Sequence, residues 1–83
     1  MRSVHIVEER APYLLLARGR HFAVVERRNG QLYSLRCGPR APAPMTDKGA
    51  AALIGDGWSD ETSARRTFDE VASRYTELAE RLW

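Results

Sequence analysis

The sequence predicts an α+β domain: an antiparallel β-meander of three to four strands, then a short helix, then a long C-terminal amphipathic helix packed on one face of the sheet. Three observations carry this expectation. Gly19-Arg20 and Asn29-Gly30 each separate runs rich in branched and aromatic residues, and such dipeptides are favoured in two-residue hairpin loops. Three prolines in six residues, Pro39, Pro42 and Pro44, then interrupt the β pattern. From Trp58 to the end there is no glycine or proline, and Ala64, Phe68, Val71, Tyr75, Leu78 and Leu82 recur at alternating steps of 4 and 3. That spacing places all of them on one helical stripe.

Taken in order, residues 1–38 read as the meander. Ser3–Glu9 is the first strand, and its place in the sheet is left open. Glu9-Arg10-Ala11-Pro12 turns the chain into Tyr13–Arg18. Gly19-Arg20 has glycine first, as a type II′ turn requires, and leads into His21–Arg28. Asn29-Gly30 suits a type I′ turn, because both central residues need positive φ, and Gln31–Cys37 follows. These turns fix the register. Tyr13, Leu15, Ala17, Phe22, Val24, Tyr33, Leu35 and Cys37 fall on one face, with Glu26 as its single charge near an end. Leu14, Leu16, Arg18, His21, Ala23, Val25, Arg27, Leu32, Ser34 and Arg36 fall on the other. The first face is the expected seat of the long helix.

Residues 39–45 read as an extended, proline-rich crossover. Thr46 can cap a short helix in the segment 46–55, with Gly55 ending it in the left-handed cap position. Gly49 inside it counts against that helix. Asp56-Gly57 turns the chain toward the long helix, residues 59–82. Ser59 is its expected N-cap, and Asp60 and Glu61 then meet the positive end of the helix dipole. Trp58 stands where the first half of a hydrophobic staple would be, although the usual partner position holds Ser63. Outer-face charges make four-apart pairs such as Arg66–Glu70 and Glu77–Arg81.

Composition narrows the class. Eighty-three residues suffice for a single small domain. The lone Cys37 excludes an intrachain disulfide and suits a reducing cytoplasm. No apolar run resembles a signal peptide or reaches membrane-spanning length. The net charge is +2, divided unevenly. Residues 1–40 carry eight arginines against Glu8, Glu9 and Glu26, a balance of +5, and the remainder balances at −3. The plain explanation is that the halves attract each other on folding; the functional one is a charged partner.

Two surfaces stand out as candidates for partner contact. Leu14, Leu16, Val25 and Leu32 break the polar alternation expected of a solvated sheet face. A contiguous apolar patch marks a partner surface unless residues 46–54 cover it, and partner contact is the expectation here. The long helix, roughly 34 Å for residues 60–82, exceeds a six-residue strand of about 20 Å. Leu78, Leu82 and Trp83 at its end are therefore expected to need cover, by a second copy of the chain.

Arginines suggest a third surface. Arg18, Arg20, Arg27, Arg28, Arg36 and Arg40 would line the hairpin tips as a phosphate-binding face. The sheet face that carries Arg18, Arg27 and Arg36 has no aromatic platform on which single-stranded bases could stack apart from His21.

Other features carry less. Cys37 as a nucleophile needs His5 or His21 as its base, yet the register puts His21 on the opposite face. Two histidines and one cysteine without short spacing make no zinc site. Gly55-Asp56-Gly57-Trp58 lacks the pattern of a phosphate loop, and Pro39-Arg40-Ala41-Pro42 reads as linker before PxxP ligand.

The expectation is therefore a non-enzymatic, cytoplasmic binding protein without metal or cofactor. It would act as an inhibitor, adaptor or regulator that docks onto a protein partner as a homodimer. The alternative is a nucleic-acid-binding module using the six arginines.

Overall fold

The computed structural model describes residues 3–35 and 41–82, with side chains described as far as Tyr75. Its sheet has five antiparallel strands in sequential order: β1 (His5–Arg10), β2 (Tyr13–Arg18), β3 (His21–Arg28), β4 (Gln31–Ser34) and β5 (Ala43–Pro44). Helix α1 spans Asp47–Ile54 and helix α2 spans Glu61–Leu82. The architecture is the expected α+β meander with a long final helix, enlarged by one strand and layered on both sheet faces.

The hairpins form where the turn residues direct them. Gly19 has φ 63°, while Asn29 and Gly30 have φ 53° and 75°. These are the backbone signs that types II′ and I′ demand. The resulting register pairs Tyr13 with Glu26, Leu15 with Val24 and Ala17 with Phe22 across β2–β3. It pairs Glu26 with Tyr33 and Arg27 with Leu32 across β3–β4. The first connection contains a cis Ala11–Pro12 bond.

Beyond Ser34 the β3–β4 ladder stops, short of the Cys37 end expected of the fourth strand; Cys37 lies outside the described residues. Phe22 pairs with Ser59. Its amide donates to the Ser59 carbonyl at 2.8 Å, and the Ser59 amide donates back at 2.9 Å. This pairing also corrects the helix cap. Ser59 is occupied by β3, and Asp60 takes the cap role. The Asp60 carboxylate accepts from the Ser63 amide at 3.2 Å, and its carbonyl accepts from the Ala64 amide at 3.1 Å. Trp58 is correspondingly no staple; it packs with the cluster on the α1 face.

Short strand β5 pairs Pro44 with Gln31 and Ala43 with Leu32 at the sheet edge. An edge tolerates proline, whose missing N–H takes no part in the ladder. Thr46 caps α1 as expected, its side chain accepting from the Gly49 amide at 3.0 Å. Gly49 is there because α1 crosses β5 closely: a Cβ at this position would overlap the Pro44 carbonyl oxygen. Gly55 ends α1 at φ 58° and ψ −114°, outside the left-handed helical basin expected of it. The positive φ still selects glycine.

Both faces of the sheet are covered. On one, Leu15 packs with Ala64 and Phe68 of α2, flanked by Tyr13, Phe22 and Val24. On the other, Leu14, Leu16, Ala23, Val25 and Leu32 cluster with Ala43 and with Ala50, Leu53 and Ile54 of α1. The expectation that Leu14, Leu16, Val25 and Leu32 form an open partner surface is therefore corrected. The short helix supplies enough apolar side chains to bury all four.

Candidate functional site

Cover of the α1 face is incomplete at the β1 end. A cleft of about 140 Å³ opens between β1 and α1. Leu14, Leu16, Leu32 and Ala50 form its floor, while Val4, Ile6 and Met45 form its apolar walls. An engineered cavity of about 150 Å³ holds benzene, so this one is of the size for a single side chain. Ile6 is 48 % exposed and Met45 40 % exposed, and Val7 is exposed beside them. At the cleft's rim Asp47 accepts a hydrogen bond from the Val4 amide at 3.2 Å, anchoring the start of β1 to the start of α1.

β1 is also a sheet edge. Its two halves differ. The register shifts between Ile6 and Glu8, leaving Val7 in a bulge. Past the bulge the strand is charged, and its charges are paired within the chain. Glu8 pairs with Arg10 at 2.9 Å and with Arg65 of α2 at 3.6 Å, and Glu9 pairs with Arg27. Arg10 also reaches Asp69 of α2 at 3.0 Å and lies over the Phe68 ring. Bulges and charges of this kind protect sheet edges from unwanted pairing. The half up to and including the bulge, His5 to Val7, has the exposed apolar side chains Ile6 and Val7.

Of the six arginines expected to form one basic surface, the four described ones are divided between the two hairpin ends, Arg18 and Arg20 at one and Arg27 and Arg28 at the other. Arg18 stacks over Trp58 with its guanidinium carbon 4.5 Å from the ring centroid. Arg27 is paired with Glu9. Arg28 pairs with Glu26 at 3.2 Å and lies 4.4 Å over Tyr33. Arg20 is exposed in the β2–β3 turn, and Arg36 and Arg40 lie outside the described residues. Three of these four, Arg18, Arg27 and Arg28, are thus engaged by partners within the chain. Leu78 and Leu82 lie on α2 without described side chains, and Trp83 lies outside the described residues. The Trp58 indole N–H is buried with no acceptor among the described residues.

A feature missed at the sequence level lies on the α2 face. Arg10, Tyr13, Glu26 and Tyr33 form one cross-strand row from β1 to β4. Tyr75 of α2 meets this row at Tyr13, its ring edge-on to the Tyr13 ring at 6.1 Å. Burial pushes the Tyr13 phenol up, and Glu26 and Tyr75 add to the rise against an opposing pull from Arg28. The hairpin turns alone place Tyr13, Glu26 and Tyr33 in line. Only the helix position reveals that Tyr75 joins them.

Among the described residues no group of three or more His, Cys, Asp or Glu side chains could hold a metal ion. No described helix is long and apolar enough to cross a membrane. No family model, no curated protein and no solved structure matches the chain.

Proposed function

We propose that the chain is a non-enzymatic docking domain that binds an extended apolar segment of a protein partner along the first half of β1. The observation that carries this reading is Ile6, nearly half exposed at a sheet edge beside the cleft that Met45 walls on its other side. Peptides that add to a sheet edge gain affinity from main-chain hydrogen bonds and specificity from side-chain pockets. The β1 edge supplies the first and the cleft the second. The bulge at Val7 and the paired charges beyond it limit docking to the half where the apolar residues lie. An inhibitor, adaptor or regulator would each use such a surface.

The test is titration of the isotopically labelled chain with an alternating leucine–lysine hexapeptide, followed by amide NMR shifts. The lysines suit a rim that carries Asp47. Shifts confined to residues 4–7, Met45 and Ala50, abolished by Ile6→Glu, support the reading. Absence of shifts at millimolar peptide, or shifts spread elsewhere, refutes it. Homodimerisation through the end of α2 is the second element of the proposal. Light scattering tests it, with a mass of twice 9.4 kDa expected and the monomer mass contradicting it.

A further inference from the structure

The tyrosine row on the α2 face lies on the other side of the sheet from the β1 cleft and calls for a different ligand. We propose that Tyr13, Glu26, Tyr33 and Tyr75 form a receptor for an arginine side chain of a protein partner, occupied in the free chain by Arg28. Aromatic faces attract cations through the ring quadrupole, and a guanidinium also stacks flat against them. A carboxylate between two tyrosines supplies the opposite charge. The register puts Glu26 directly between Tyr13 and Tyr33 on adjacent strands. The site already shows its preference, since the Arg28 guanidinium lies over Tyr33 and contacts Glu26.

Arg28 is a weak occupant. Its side chain is 57 % exposed, and its contact with Glu26 is a single Nε–oxygen approach at 3.2 Å. Exposed pairs of this kind contribute little. Arg28 reaches the carboxylate from two residues away on the same strand, whereas a guanidinium arriving from outside is free to pair with both oxygens in the stronger bidentate geometry. Tyr75, 48 % exposed, leaves the row open from the helix side. Tyrosine and arginine, with tryptophan, are enriched where protein interfaces concentrate their binding energy.

The experiment titrates the chain with N-acetyl-arginine amide and follows the ring signals of Tyr13, Tyr33 and Tyr75 by NMR. N-acetyl-glutamine amide serves as the neutral control. The parent should bind weakly, and Arg28→Ala should bind about five-fold more tightly, because a resident competitor of surface strength has been removed. Adding Glu26→Gln to that variant should abolish the response. Circular dichroism confirms that each variant is folded, and Arg28→Gln provides a second removal of the competitor. The proposal is overturned if the tyrosine signals of folded Arg28→Ala do not move. It is equally overturned if the glutamine amide or N-acetyl-lysine amide moves them as far.

Discussion

The two faces of the sheet are built on opposite plans. On the α1 face an eight-residue helix covers a broad apolar cluster drawn from β2, β3, β4 and β5. On the α2 face the buried cluster among the described residues is narrower, Leu15 against Ala64 and Phe68 of the 22-residue helix. The long helix is instead fastened at its margins, by Arg10–Asp69 and Arg65–Glu8 and by the contact of Tyr75 with Tyr13. Helix length is therefore a poor guide to where stability lies. The area of apolar surface removed from water decides it, and small residues such as Gly49 and Ala50 let a short helix come close enough to remove a great deal.

The largest expected effects test whether both faces are true cores. Leu14→Ala and Phe68→Ala should each cost about 3 kcal/mol or more in chemical denaturation, because each removes a fully buried side chain. A loss below about 1 kcal/mol for Leu14→Ala would mean that the α1 face is a dispensable surface. Gly49→Ala is next. In an isolated helix the change would stabilise by up to about 1 kcal/mol. Here the added methyl meets the Pro44 carbonyl oxygen, so a net loss of about 1–3 kcal/mol is expected. A gain would show that α1 stands further from β5.

At the start of α2 the expected effects are smaller and discriminate between neighbours. Asp60→Ala should lower the melting temperature more than Ser59→Ala, because the Asp60 carboxylate caps the Ser63 amide at 3.2 Å, while the short Ser59–Phe22 bonds are backbone and the Ser59 hydroxyl adds only long contacts of 3.4 Å. The hydrogen bonds from the Ser63 side chain and amide hold the Asp60 carboxyl below its ordinary value of 3.8. A folded-state value lower than the unfolded one makes the contribution complete above about 4 and lost as pH falls through the lowered folded value. Asp60→Asn keeps the acceptor and removes only the charge, so its gap from wild type should be constant near neutrality and close only at strongly acid pH. The smallest effect belongs to Arg27→Ala, which breaks the pair with Glu9 at the strand margin and should change stability by less than about 1 kcal/mol.

Much of this architecture was legible in local chemistry, and the reasons for the exceptions are physical. Glycine or asparagine at positive φ fixed both hairpins, so the β2–β3 register and its two faces followed from Gly19 and Asn29-Gly30. The alternation on the α1 face misled because it mixes leucines with Arg18, His21 and Arg27. Those three sit toward strand ends, where they reach outward to solvent or, for Arg18 and Arg27, to Trp58 and Glu9. The middle of the face is wholly apolar. Pro44 hid β5, since proline argues against a strand everywhere except an edge. Gly49 argued against α1 on propensity alone, and only the close passage over Pro44 explains it. The cleft at β1 depends on how far α1 extends across Leu14 and Leu16, a tertiary distance that no local pattern encodes.

Closure of the α1 face by the chain's own helix is the claim on which the rest depends. The direct measurement is an isotope-filtered NOE experiment on a mixture of labelled and unlabelled chains, reading methyl contacts of Leu53 and Ile54. Contacts to Leu14, Val25 and Leu32 within one chain, unchanged on dilution, are expected. Contacts seen only between chains, or none, would return those residues to the surface and contradict the account.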